Sequence, residues 1–256
     1  MDEPLAGYSC AEFDNVLVGL IADILGSDAY LPQDYPSAVL VGGQSGAGKT
    51  TLHAMARRRF RKNVIVINGD EYRAYHPRYR ELDEKFGPDA VAYTARWAGE
   101  MTEALIDEFS RLSYNLIIEG TLRTHEVPVR TAELLRSRGY AVSLALMAVK
   151  PEISLISCQI RYESMRIAGT VPRATDPAHH DKIVQEIVEN LGVLENSGLF
   201  DEVRLFSRAK ECLYPLQGET RAASAALKEV LFGPWSAEEL RHYEYLKARL
   251  KALRAQ

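Results

Sequence analysis

Residues 43–50 read GQSGAGKT, a full match to the G-x-x-x-x-G-K-S/T pattern of a phosphate-binding loop. The glycines let backbone N–H groups curl around phosphate oxygens, and the start of the following helix adds partial positive charge. In this pattern Lys49 is expected to bridge the β- and γ-phosphates, and the Thr50 hydroxyl to bind Mg²⁺. The sequence therefore predicts that the chain binds ATP and Mg²⁺. The predicted nucleotide contacts are Gly43, Gln44, Ser45, Gly46, Ala47, Gly48, Lys49, Thr50 and Thr51.

Two acidic residues end short apolar runs further along the chain. Asp70 follows VIVING, and Glu119 follows NLII. Ligands of open α/β sheets bind outside the carboxyl ends of the strands, so both carboxylates are candidates for substrate contact. Asp70 has three possible roles: capping a helix, holding Mg²⁺, or accepting the proton of a hydroxyl group that is being phosphorylated. For Glu119 the alternative to substrate binding is a buried ion pair.

Two arginines follow these acids. Arg161 lies in the predicted helix CQIRYESM, and Arg173 lies in the loop TVPRATDP. Loop arginines opposite a phosphate loop commonly form a lid that closes over ATP and excludes water. Positive charge near the transferred phosphoryl group is what a kinase needs.

Other classes of nucleotide-binding protein fit less well. A guanine-specific switch should carry an N-K-x-D motif, and the sequence has none. A small-molecule or nucleotide kinase fits best, and a kinase of a nucleoside or of an antibiotic hydroxyl is one alternative. A nucleotide-dependent binding protein without transfer chemistry is another, although such a protein has no need of a base at Asp70.

The positioning elements alternate along the chain, which favours an α/β fold with a parallel sheet flanked by helices, similar to P-loop kinases. We expect an N-terminal helix and connector over 1–35, a P-loop kinase domain over 36–218, and a C-terminal helical extension over 219–256 packed on the same domain. Strands are predicted at 38–42, 64–68, 115–119, 141–147 and 202–206. Helices are predicted around 11–26, 49–61, 90–112, 126–138, 151–167 and 178–196, with another that Ser236 and Glu239 open as a capping box.

The composition of the chain indicates which classes of partner and which cellular compartment to expect. The formal net charge of 256 residues is -4, so no global basic field indicates a nucleic-acid or membrane partner. The three cysteines share no metal-binding spacing and fit a reducing compartment. The acidic N-terminus and the lack of a long apolar run lead us to expect a cytoplasmic protein.

Three groups of histidine or basic residues have structural explanations that require no ligand. The run His179-His180-Asp181 is interpreted as a helix start rather than a metal site, because adjacent histidines project to different sides of a helix. His53, one turn after the phosphate loop, is expected to be a helix-surface or packing residue. The basic run at 57–62 ends a helix, where positive charge suits the helix dipole.

Taken together, GGQSGAGKTT, INGDEYRAYHPRY, NLIIEGTLRT, IRYE and RAT…HHD resemble, in order, the zeta toxin family of bacterial toxin–antitoxin systems, and within it the streptococcal branch. The resemblance runs from about residue 36 to 208. It implies a kinase that transfers the ATP γ-phosphate to the 3′-hydroxyl of the amino sugar of UDP-N-acetylglucosamine. The product blocks peptidoglycan synthesis, and a small protein antitoxin is the implied partner, which blocks the ATP site.

The resemblance also implies roles for individual residues. Asp70 matches the catalytic base, and Arg161 and Arg173 match arginines that clamp the phosphates. Glu100 is an alternative to one of the implied sugar-binding residues, Glu103, because it lies three residues earlier on the same helical face. The implied sugar-binding residues are Glu103, Glu119, Thr121 and Arg123, with Thr124 close by.

Overall fold

A computed structural model describes residues 3–170 and 175–256, and its centre is a six-stranded sheet. The strand order is β2-β3-β1-β4-β5-β6; the first five strands run parallel, and β6 pairs antiparallel with β5. The strands are β1 Ser37–Gly42, β2 Ile65–Asn68, β3 Leu116–Glu119, β4 Ala141–Met147, β5 Glu202–Phe206 and β6 Cys212–Tyr214.

Helices cover both faces of this sheet. They are α1 Glu3–Ala6, α2 Cys10–Ser27, α3 Thr50–Arg59, α4 Gly69–Tyr72, α5 Tyr79–Phe86, α6 Ala90–Tyr93, α7 Ala95–Arg111, α8 Glu126–Ser137, α9 Pro151–Ile167, α10 Pro177–Asn196, α11 Ala223–Phe232 and α12 Ala237–Arg254. Short 3₁₀ turns span Arg73–Tyr75 and Gly87–Asp89.

The sheet separates two apolar cores. Successive residues of a strand point to opposite faces, and in β1 Leu40 belongs to the core beneath α7 and α10, whereas Val39 and Val41 belong to the core beneath α3, α9 and α12. Apolar side chains on both faces explain why these strands read as continuous Val/Ile/Leu runs. The predicted α/β fold with a covered parallel sheet is confirmed.

The five predicted strands and the predicted helices are present within one or two residues of their expected bounds, with one exception. The stretch expected as one helix over 90–112 is interrupted at Thr94. The buried Thr94 hydroxyl and the Thr94 backbone N–H both donate to the Ala90 carbonyl, at 3.0 and 3.1 Å, and bonds of this side-chain type often bend helices. Strand β6 and helices α4 and α5 were not predicted, because each is too short to show a clear periodicity.

The terminal helices pack on the sheet domain. α12 opens with the predicted capping box, in which Ser236 and Glu239 bond each other's backbone N–H groups, and it packs along α9. α2 contributes Leu20 to the core beneath α7. The predicted division at residues 35 and 218 stays a prediction. Among residues 3–170 and 175–256, none of the helices combines the length and the hydropathy of a membrane-spanning segment.

Candidate active site

The phosphate-loop residues connect β1 to α3, as the motif predicts. Gly46 has φ +77°, and a Cβ placed on it would lie 2.1 Å from the Ser154 carbonyl oxygen in α9. Gly48 has φ +98°, but the nearest atom to its added Cβ is 3.7 Å away, in Arg208. At position 46, therefore, only glycine satisfies both the left-handed backbone and the close approach of the loop to α9, whereas at position 48 only the backbone conformation favours glycine.

Gln44 fixes the loop from below. Its side chain is fully buried, and Nε2 donates to the Val149 carbonyl at 2.8 Å and lies 3.3 Å from Ser154 Oγ. Ser154 Oγ is in turn 2.8 Å from Nε2 of the buried His180. The His179-His180-Asp181 run is thus the first turn of α10, as interpreted, and His180 anchors it to the loop. The described residues contain no group of three or more His, Cys, Asp or Glu side chains arranged for a metal.

Lys49 and Glu119 lie next to each other at the carboxyl ends of the parallel strands. Lys49 Nζ donates to the Gly43 carbonyl at 3.0 Å and lies 3.7 Å from Glu119 Oε1. Burial lowers the pKa of Lys49, while the charges of Glu119 and Asp70 oppose that shift. The charges of both carboxylates therefore act on Lys49.

His53 is part of this cluster. The expectation of a surface or packing residue is wrong, because His53 Nε2 lies 2.8 Å from Glu119 Oε2. Burial alone would raise the pKa of Glu119, but His53 and Lys49 outweigh it, so the pKa is lowered. The spacing of His53, one turn after Lys49 on α3, is the sequence signal that placed it near the loop. Nothing in the sequence indicated that Glu119 would reach it.

Asp70 lies one strand away from Glu119. The register pairs Asn68 of β2 with Glu119 of β3, so the chain leaves β2 beside the Glu119 carboxylate. The cap of α4 is Asn68, whose Oδ1 accepts from the Asp70 N–H at 3.2 Å, and the helix-cap interpretation of Asp70 is therefore wrong. The Asp70 side chain is 62% exposed, and Oδ1 accepts from Arg73 Nε at 3.0 Å.

Arg73 was not singled out in the sequence. Its Nη1 donates to the Val91 carbonyl at 2.8 Å and lies 3.3 Å from Thr94 Oγ1, at the break between α6 and α7. The guanidinium thus ties the Asp70 carboxylate to the turn that separates those helices.

Helix α7 lies beside Asp70 and carries both candidate glutamates. An added Cβ on Gly69 would lie 2.8 Å from Thr102 Oγ1, so the two segments touch. Glu100 accepts hydrogen bonds from Tyr8 and from Arg96, both at 2.7 Å. Glu103 is exposed, and its carboxylate is 4.0 Å from Arg130 Nη2. Glu100 is therefore bonded to the N-terminal segment through Tyr8, whereas Glu103 is open to solvent.

The predicted sugar-binding loop follows β3. Thr121 is half-buried, while Arg123 and Thr124 are exposed. Between them the buried Leu122 has φ +52°, and its side chain fills the space above Gly42. This inward-pointing leucine turns the neighbouring polar side chains away from the core.

Asn190 of α10 fixes the same loop. Its Nδ2 donates to the carbonyls of Leu122 at 3.0 Å and Arg123 at 2.9 Å, and its Oδ1 is 3.2 Å from His125 Nδ1. Asn190 lies almost 70 residues away in sequence, so no local pattern could identify it.

A cavity of about 410 Å³ opens above the phosphate loop. Its size and cationic wall suit the phosphates of a nucleotide, and the exposed Thr50 hydroxyl suits a metal ion held between them. Arg161, on α9, lines this cavity, while Arg173 lies outside the described residues. The wall comprises Gly46, Gly48, Lys49, Thr50, Thr51, Glu119, Ser157, Arg161 and Arg208.

Arg208, like Arg73 and Asn190, was not identified from the sequence. It lies two residues after β5, bonds to the carbonyls of Gly46 and Ala47, and has its pKa lowered by burial. A single arginine after an apolar strand is a common pattern and gave no signal.

Comparison with known proteins gives consistent results. A model of the family described as "Zeta toxin" matches residues 22–219. Toxin PezT of Streptococcus pneumoniae serotype 4 is 42% identical over 247 residues, 96% of this chain and 97% of that protein. Toxin zeta of Streptococcus pyogenes is 35% identical over 211 residues, 82% of this chain and 73% of that protein. A chain of the solved PezAT chromosomal toxin–antitoxin system of Streptococcus pneumoniae has a TM-score of 0.89 at 39% identity, covering 98% of this chain and 99% of that one.

Proposed function

The chain belongs to the zeta toxin family, and we propose that it is a toxin kinase that transfers the ATP γ-phosphate to the 3′-hydroxyl of the amino sugar of UDP-N-acetylglucosamine. The observation that carries the proposal is that a phosphate-loop lysine and an exposed aspartate lie at the same edge of the sheet, after β1 and β2, which are separated by β3. Lys49 and Asp70 interact electrostatically, and Glu119 lies between their strands. A protein that only binds nucleotide needs the lysine but not the aspartate.

In this proposal Asp70 is the general base. Arg73 holds Oδ1 of its carboxylate, and the other oxygen receives the proton of the acceptor hydroxyl. The exposed position of Asp70 suits contact with a substrate that enters from solvent. A positioned general base contributes about 10²–10⁴-fold to the rate.

The cationic wall of the cavity holds the phosphates. Lys49 and Arg161 spread the charge that grows on the transferred group, and Arg173 is proposed to join them. Thr50 would hold Mg²⁺, which neutralises charge on the β- and γ-phosphates when it is bound. Since burial disfavours the charged form of Lys49, an anion beside it is required, and nucleotide phosphate can share that task with Glu119.

The acceptor is proposed to lie between α7 and the loop after β3. Glu103, Glu119, Thr121 and Arg123 supply hydrogen-bonding groups suited to sugar hydroxyls and diphosphate, with Thr124 adjacent. Phosphorylation of the 3′-hydroxyl would block use of the sugar nucleotide in peptidoglycan synthesis. A small protein antitoxin is the proposed partner, since the similar PezAT structure is of a toxin–antitoxin system.

The test follows ADP release and product mass with ATP, Mg²⁺ and a panel of acceptors. The panel contains UDP-N-acetylglucosamine, UDP-glucose, nucleosides and a hydroxyl-bearing antibiotic. We expect one added phosphate on UDP-N-acetylglucosamine, with product lost in Asp70→Asn. Glu71→Gln is the matched control, because Glu71 is the neighbouring acid on α4 and contacts Asn68. Phosphate on a nucleoside or on the antibiotic instead would keep the kinase and overturn the acceptor.

A further inference from the structure

We propose that Arg208 is a positioning residue for the nucleotide, which holds the phosphate loop in its binding shape and gives the cavity a further cation. This inference rests on the proposed ATP-dependent function but not on the identity of the acceptor. It assigns a role to a residue outside the phosphate-loop motif, 158 positions after the last motif residue, Thr50, in sequence.

The guanidinium of Arg208 joins three points. Nε donates to the Ala47 carbonyl at 3.2 Å, and Nη2 donates to the Gly46 carbonyl and to Ser157 Oγ, the latter at 2.9 Å. Gly46 and Ala47 belong to the loop, and Ser157 belongs to α9. One planar group therefore fixes the loop and links it to the helix that carries Arg161.

The bonded atoms matter for phosphate binding. A phosphate loop works by aiming its backbone N–H groups into the cradle, which requires its carbonyls to point away and find donors elsewhere. Arg208 supplies donors to two consecutive carbonyls, at the point where Gly46 takes its left-handed conformation. It thus stabilises the orientation of the N–H groups before nucleotide arrives, which reduces the ordering cost of binding.

The charge of Arg208 points to an anionic ligand. Within 3–170 and 175–256, no carboxylate lies within 4.0 Å of its guanidinium, whereas Arg73, Arg78 and Arg136 each have one. Burial lowers the pKa of Arg208 and the side chain lines the cavity. A partly buried cation without a carboxylate partner favours binding of phosphate beside it.

The experiment measures ATP affinity by calorimetry, without acceptor, for the full chain and for Arg208→Lys. Lysine keeps the charge but cannot donate in one plane to both carbonyls and the hydroxyl. Losing one charge-assisted hydrogen bond predicts a Kd for ATP about 10-fold weaker. Arg204→Lys is the matched control on β5, where Arg204 pairs with Glu202 at the surface, and its Kd should stay within about 2-fold of wild type.

A positioning role also predicts how the kinetics divide. With a working acceptor, Arg208→Lys should raise KM for ATP while kcat at saturating ATP stays within about 3-fold. Ser157→Ala provides a second variant that leaves the guanidinium in place, and it should weaken ATP binding by about 2- to 5-fold. Arg208→Lys should lower the melting temperature less in the absence of ATP than in its presence. The reason is that a protein that binds ATP more weakly gains less stability from it.

Unchanged ATP affinity in both Arg208→Lys and Ser157→Ala would overturn the inference. So would loss of melting temperature without nucleotide that matches the loss in its presence, since that pattern marks a purely structural residue. The failures of the two proposals can be distinguished. A wild-type chain that binds no ATP would refute both, whereas ATP binding without phosphorylation of UDP-N-acetylglucosamine would refute only the proposed acceptor and leave the Arg208 inference intact.

Discussion

Substituting alanine at Gly46 and at Gly48 should have clearly different effects, although both glycines belong to one loop and both have positive φ. An L-residue in this backbone region costs about 1–2 kcal/mol at either position. At Gly48 that is the whole cost, because its added Cβ meets nothing closer than 3.7 Å. At Gly46 the Cβ would also lie 2.1 Å from the Ser154 carbonyl oxygen and 2.7 Å from Cys158 Sγ.

The backbone oxygen of Ser154 cannot move without shifting α9. Overpacking of this kind adds about 1–3 kcal/mol, so Gly46→Ala should cost about 2–5 kcal/mol in total. For a domain of this size each kcal/mol lowers the melting temperature by about 2–4 °C. Gly48→Ala is therefore expected to melt about 2–8 °C below wild type, and Gly46→Ala about 2–12 °C lower again.

The assay is thermal unfolding of the three proteins at one concentration without nucleotide, followed by calorimetric ATP titration of each. Gly46→Ala should bind ATP more weakly than Gly48→Ala, because the displaced segment includes the carbonyls that Arg208 holds. Equal melting temperatures for the two variants would refute the claim that close approach to α9, rather than φ alone, requires Gly46.

Three further outcomes are expected. Because the pKa of Glu119 is lowered in the folded protein, its carboxylate stabilises the fold above the ordinary pKa of 4.5, and this stability is lost as the pH falls through the lower folded value. Between pH 7 and 3 the melting temperature of wild type should therefore fall more steeply at the acid end than that of Glu119→Gln. Parallel plots of melting temperature against pH would contradict this. Asn190→Ala should raise KM for the acceptor more than KM for ATP, because it removes the donor to the carbonyls of Leu122 and Arg123. An equal rise of both KM values in steady-state kinetics would mean that Asn190 only supports the fold. Glu103→Gln should raise KM for the acceptor and leave the melting temperature unchanged. Glu100→Gln should lower the melting temperature, because it weakens the bond to Tyr8. The reverse pattern would make Glu100 the substrate contact.

Much of the fold could be predicted from local patterns. Most of the parallel strands are short apolar runs, and α12 begins at a capping box, so each signal lies within a few residues. The break at Thr94 could not be predicted, because nothing in the sequence distinguishes this threonine from one inside a continuous helix. β6 is three residues long and exists because it pairs with β5.

The site divides in the same way. Lys49, Thr50, Asp70 and Glu119 follow strand ends, and parallel strands bring their carboxyl ends to one edge of a sheet. The residues that hold these groups in place come from distant parts of the chain. Arg208, Asn190 and Arg73 act through bonds to backbone carbonyls or to another side chain, and such partners leave no spacing pattern in a sequence.

His53 shows a further limit. Its position one turn after Lys49 placed it near the loop, yet its contact with Glu119 depends on β3 lying beside β1 in the sheet. The order of strands was not predicted, and without it the distance between α3 and the end of β3 is undetermined.

The most direct test of the proposed activity uses two acceptors that differ in one atom. The chain is incubated with ATP, Mg²⁺ and either UDP-N-acetylglucosamine or its 3′-deoxy analogue, in which the amino sugar lacks its 3′-hydroxyl and the ribose is unchanged. The masses of the products are recorded. The proposal predicts one added phosphate on UDP-N-acetylglucosamine and none on the analogue. Phosphate on the 3′-deoxy analogue, or no phosphate on either acceptor from a chain that binds ATP, would contradict it.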